Sequence, residues 1–168
     1  MNSEFKNKRL LENAELRLAI NIVLEEGNSF LEHNLGSLDI SSYQYDINEA
    51  VSELSLDEYV ISHLVEDYII QILKSKISFY KYIQELKQAE YDNLDLDYTK
   101  IRDLAHKNLG VVRNLRINDA RTLLEVIMKE EDLDHLRLCV KALEITALKL
   151  NPLCAYETLK LIEVKNTL

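Results

Sequence analysis

Apolar residues recur at spacings of three and four along most of the chain, the signature of amphipathic helices. Leu11, Ala14, Leu18 and Ile22 set this pattern from about Ser3 to Glu26, with Glu, Arg, Lys and Asn between them. Gly27-Asn28 is a stop signal, and Phe30, Leu31 and Leu35 predict a further helical stretch. Gly36 to Tyr45 (GSLDISSYQY) is polar and rich in Ser, and reads as a linker. A short helix is expected from Asp46, with Glu49 as its capping-box partner. Ser55-Leu56-Asp57-Glu58 repeats the capping pattern and opens a long helix to about Ala89. Its buried face is expected to carry Val60, Leu64, Tyr68, Ile72, Ile77, Tyr80 and Ile83.

Asp92-Asn93 and Asp95 to Asp97 supply a turn and a new N-cap, because aspartate satisfies the free amides of a first turn. The next helix spans about Tyr98 to Leu115. Asn118-Asp119 is suited to cap another through about Lys129, and Asp132 with Asp134 a further one through Leu150. Proline excludes the helical conformation from its predecessor, so Asn151-Pro152 breaks that helix. A last amphipathic piece carries Leu153, Tyr156, Leu159, Leu161 and Ile162. Strand-like alternation, repeats and low-complexity tracts are lacking. The fold class expected is all-α.

Composition narrows this picture. Only three glycines and one proline punctuate 168 residues, which favours long helices. Apolar residues make up 47 %, enough for a sizeable core. The net charge of −9 argues against a sequence-independent nucleic-acid binder, which needs a basic face to displace phosphate counterions. A protein partner with a basic rim is compatible with it. Cys139 and Cys154 stand alone, without CxxC or metal-ligand spacing, as expected of structural thiols in a reducing cytoplasm. The first residues, MNSEFKNKRLLENAEL, carry charges where a signal peptide needs its apolar stretch, and no apolar run approaches a bilayer-spanning length. The expectation is a soluble cytoplasmic chain with no membrane partner; its oligomeric state stays open.

On a helical wheel of about 100° per residue, Ile101, Leu104, Ala105, Asn108, Val112 and Leu115 share one broad sector. His106 lies beside it, with Gly110 one turn on, Arg102 one turn before and Arg113 two turns after. A glycine inside a helix costs about 1 kcal/mol relative to alanine. Gly110 removes a side chain where something would approach the imidazole, and two arginines on the stripe favour an incoming anion such as a phosphoryl group. By geometry alone an ordinary surface histidine beside a tolerated glycine fits the same residues.

The segment LAHKNLGVVRNLRINDARTLLE, Leu104 to Glu125, resembles the signature of histidine-containing phosphotransfer (HPt) domains. There an alanine-histidine pair is followed by a glycine four residues after the histidine, and commonly by Asn-Leu eight and nine after it. Ala105-His106, Gly110, Asn114-Leu115, Ala120 and Leu123 stand in those places. The preceding YDINEAVSELSLDEYVISHLVEDYIIQIL and the following DLDHLRLCVKALEITALKL look like the family's opening and closing helices, so the resemblance covers about residues 45 to 150.

It implies an antiparallel four-helix bundle of HPt type over 45–150, an N-terminal helical extension and linker over 1–44, and a C-terminal helical tail over 151–168. It also implies that His106 accepts a phosphoryl group from a receiver-domain aspartate or a sensor histidine kinase and passes it to another receiver. Such a carrier has no kinase activity and no cofactor of its own; magnesium belongs to the receiver. Gln71 stands where some members have a glutamine that hydrogen-bonds the phosphohistidine. The chain departs from the pattern at Leu109, where the family usually has lysine, and at Arg116, where a small residue is common. Arg102 and Arg113 are the candidates to supply the missing charge.

His33, His63 and His135 each stand alone, and His63 with Glu66 and Asp67 lacks a second histidine or cysteine ligand. The acidic clusters Glu25-Glu26, Glu66-Asp67 and Glu130 to Asp132 are explained by helix caps and solubility. A phosphate-cradling glycine loop and an ATP-binding signature are both lacking. Two other functions fit: an HPt-like module that docks on a receiver or kinase without chemistry, and a structural helical protein whose terminal helices bind a partner.

Overall fold

The structure, a computed structural model, describes the backbone of residues 2–167 and the side chains of residues 13–165. Among the described residues every regular element is helical: α1 (Asn2–Leu35), a single 3-10 turn (Gly36–Leu38), α2 (Ile47–Leu54), α3 (Glu58–Tyr91), α4 (Thr99–Leu115), α5 (Asn118–Ile127), α6 (Leu133–Leu150) and α7 (Pro152–Thr167). None of these helices is long and apolar enough to cross a membrane.

The caps explain most of the boundaries. Asp46 accepts the Asn48 amide at 3.0 Å to start α2, and Asp132 accepts the amides of Asp134 and His135 to start α6. After the break at Asn151, its side chain accepts the Cys154 amide at 3.2 Å and starts α7. At α3 the cap is Asp57, which accepts the Val60 amide at 2.9 Å, and not Ser55. Ser55 instead closes α2 in the left-handed conformation, φ 54°. Neither Asn118 nor Asp119 caps α5; the residue before it, Ile117, has no capping side chain and both lie inside the helix.

Two expectations about buried faces are corrected. On α3 the buried residues are Ile61, Val65, Tyr68, Ile69, Ile72, Leu73, Phe79, Ile83 and Leu86, while Val60, Leu64 and Ile77 are exposed. The packed stripe is thus rotated by one position along its first half. On α1, Ala14, Leu18 and Ile22 are exposed; Leu16, Ile20 and Leu24 are half-buried, and the fully buried side begins at Gly27 and continues through Leu31 and Leu35. Leu11 lies outside the residues whose side chains are described.

Gly27 does not end α1. There α1 packs tightly against α6: a Cβ built on it would lie 2.8 Å from Ile145 Cγ2. Only a residue without a side chain lets the two helices approach this far, so the glycine reads as packing and the helix runs through it.

The helices pack around one core. α3 lies against α4 and α6, and α5 against the same two, so the four form a closed ring of neighbours. α2 covers α3 and α4, α1 docks on α6, and α7 docks on α3 and α6. The linker is also fixed. The Tyr43 hydroxyl donates to the Arg116 carbonyl at 3.0 Å, and the Tyr45 hydroxyl to the Leu115 carbonyl at 2.7 Å. These satisfy carbonyls that the end of α4 leaves without helical partners. Arg116, which follows them, has φ 59°, a left-handed conformation that favours glycine, and its guanidinium pairs with Glu53.

Candidate functional site

α4 turns one face inward and the other out. Ile101, Ala105, Asn108, Leu109, Val112 and Leu115 are buried, with Leu104 half-buried beside them. His106 is exposed in mid-helix, and among the described residues its imidazole has no hydrogen-bond or ion-pair partner. Gly110, one turn on, is exposed too, and a Cβ built there would meet no atom within 4 Å. The space over the imidazole is therefore open from this side.

The two arginines of the stripe are engaged by carboxylates. Arg102 stacks on the Tyr98 ring with its guanidinium carbon 4.9 Å from the centroid, and its Nη2 lies 3.6 Å from Glu131. Arg113 donates to Glu125 Oε1 at 3.2 Å, an oxygen that also accepts from Arg121 at 3.0 Å. The bonds from Arg121 and Arg113 hold the Glu125 carboxyl below its ordinary range. Since Glu125 is shared, Arg113 can leave it without stranding the carboxylate. These pairs are half-buried to exposed, and ion pairs this accessible to water are individually weak.

Lys107 and Asp103 complete the charge around His106, and sequence reasoning missed both. Lys107 is exposed and, among the described residues, has no carboxylate partner. Asp103 is exposed three residues before the histidine, on the same side of the helix. Lys107 directly follows His106 in the sequence, while the family's lysine stands three residues after the histidine. That position, Leu109, is only 2 % exposed, so this chain uses it for core packing.

Gln71 is engaged by Asn108. Its Nε2 donates to Asn108 Oδ1 at 3.2 Å, and Asn108 Nδ2 donates to the Leu104 carbonyl at 2.9 Å. Asn108 is fully buried, so this pair is a satisfied polar contact within the α3–α4 interface. The structure thus brings His106, Gly110, Arg102 and Arg113 onto one outward stripe and joins Gln71 to the inward face of the same helix. Groups of three or more His, Cys, Asp or Glu side chains able to hold a metal are absent among the described residues. No family model matches the chain, and no match was found among curated proteins or solved structures.

Proposed function

We propose that the chain is a histidine phosphotransfer protein in which His106 relays a phosphoryl group between receiver-domain aspartates, or from a sensor histidine kinase to a receiver. In this reading α3 to α6 form an antiparallel four-helix bundle of HPt type, α1 and α7 are additions to it, and the protein works in the cytoplasm. The observation that carries the proposal is the exposed, unpartnered His106 beside the open space over Gly110.

The chemistry asks little of this chain. An unprotonated ring nitrogen attacks the phosphorus of the receiver's acyl phosphate. A P–N bond forms as the P–O bond breaks, and the electron pair leaves on the aspartate carboxylate. The receiver supplies magnesium and the acid chemistry, while Arg113, Arg102 and Lys107 offset phosphoryl charge. Return transfer reverses these steps.

Incubation with receiver domains carrying a radiolabelled aspartyl phosphate tests the reading. Wild type should acquire acid-labile, alkali-stable label, and His106→Gln none. Equal labelling of the variant would remove His106 from the role.

A second reading, an HPt-like module that docks without accepting phosphate, draws on two observations: both arginines are already ion-paired, and Leu109 is buried where the family's lysine stands. It predicts receiver binding that His106→Gln leaves unchanged, with no label on either protein.

A further inference from the structure

A cavity of about 370 Å³ lies between α1, the linker, α5 and α6. Its polar lining includes Asn28, Tyr43, Tyr45, Asp119, Thr146 and Lys149. This volume is at the small end of the range typical of ligand pockets, about 300–1,000 Å³. None of the His106 stripe lines it, so a role for this cavity is independent of the phosphotransfer reading.

Two opposite charges share this cavity without closing on each other. Asp119 is 3 % exposed, and its carboxylate accepts the Ala120 amide at 2.7 Å. Lys149 donates instead to the Ser41 carbonyl at 3.0 Å, and no carboxylate among the described residues lies within ion-pair distance of it. They do sense one another: Asp119 opposes the lowering that burial imposes on Lys149's affinity for its proton. Asp119 is buried and Lys149 half-buried, and each takes a backbone partner while the two do not meet.

One further polar atom beside the cavity lacks a partner among the described residues. Asn28 Oδ1 is shielded from solvent and accepts nothing, and it belongs to a residue that lines the cavity. The tyrosine hydroxyls of the linker are committed to α4 carbonyls and Thr146 to the Leu143 carbonyl. What the site offers is the Asp119 carboxylate, the Lys149 ammonium and the side-chain amide of Gln44, with Leu24 and Leu150 as apolar lining.

A simple cation would satisfy Asp119 and face Lys149; a simple anion would do the reverse. A zwitterion satisfies both. We propose that this cavity binds a small α-ammonium carboxylate with an apolar side chain, its ammonium on Asp119 and its carboxylate on Lys149.

Isothermal titration of the full chain with L-valine, L-leucine, L-methionine and L-phenylalanine tests this, beside two half-ligands of leucine: 3-methylbutylamine, without the carboxylate, and 4-methylpentanoate, without the ammonium. At least one amino acid should bind at roughly millimolar concentration or below, and leucine at least about tenfold tighter than either half-ligand. Asp119→Asn and Lys149→Met, shown to be folded by their melting transitions, should each weaken binding about tenfold or more. His106→Gln should bind as wild type does. Amide resonances of Asn28, Asp119 and Lys149 should shift on titration, which locates the ligand even if one variant fails to fold. Absence of binding by all four amino acids, equal affinity for a half-ligand, or shifts confined to other residues would overturn the proposal.

Discussion

Gly27 and Gly110 are both glycines in the interior of a helix, and they differ in what stands where a Cβ would be. At Gly27 the Ile145 side chain occupies the place of the missing Cβ, at 2.8 Å. At Gly110 that place is empty to 4 Å. Each gives up the roughly 1 kcal/mol of helix stability that alanine would supply. The first is explained by packing; the second meets no packing partner among the described residues. The same division separates His106 from Asn108, two residues on: the asparagine is buried and bonded on both sides, the histidine exposed with its ring unbonded.

Substitution should widen this contrast. The largest change in stability is expected at Gly27: Gly27→Val should cost about 2–3 kcal/mol in urea unfolding by forcing α1 off α6. An unchanged midpoint would remove the packing explanation and the comparison with it.

Asp119→Asn should come next, with a pH signature. Burial raises the Asp119 carboxyl from 3.8 to about 6, so the folded chain holds this proton more tightly than the unfolded one. The resulting stability is fully present below 3.8 and is lost as pH rises through about 6, by at most about 3 kcal/mol. Asparagine cannot ionise, so the variant should gain about 2 kcal/mol over wild type at neutral pH and little at acid pH. A gain independent of pH would show that ionisation is not its source.

Asn108→Ala should lose about 1–2 kcal/mol, since it deprives Gln71 of its acceptor and empties a packed position. Gly110→Ala should do the opposite, gaining up to about 1 kcal/mol in the free chain while slowing phosphotransfer from a receiver, because the new methyl stands in the approach to the imidazole. If transfer is as fast as in wild type, Gly110 has no part in partner access. The smallest shift in stability is expected for His106→Gln, within about 0.5 kcal/mol of wild type, as for an exposed side chain without partners.

What the sequence made legible depended on the range of the interactions involved. The starts of α2 and α6 could be read because Asp46 and Asp132 act on amides two or three residues away, and the break before α7 because Pro152 acts on its immediate predecessor. The continuity of α1 could not, because what makes Gly27 necessary is Ile145, more than a hundred positions along the chain. The face of α3 was misread by one position because that helix is contacted by α2, α4, α6 and α7, and apolar residues occur nearly all round it. The His106 stripe depends only on helical spacing within α4 and could be drawn in advance. Asp119 looked like a cap, since its burial depends on the linker and α6, and the Gln71–Asn108 pair needs the register between α3 and α4.

The tyrosine bonds of the linker place a reporter in the backbone. The Asn118 amide, at the start of α5, donates to the Tyr43 hydroxyl at 3.2 Å, across 75 positions of sequence. Amides in a first helical turn have no carbonyl of their own helix to bond, so the protection of this one from deuterium depends on the linker staying down. Closing so long a loop carries an entropy that neighbouring helix pairs avoid. The exchange rate of Asn118 should therefore report detachment of the linker at a free energy below that of global unfolding, and a single resolved amide would time the fraying of a segment far from it in sequence.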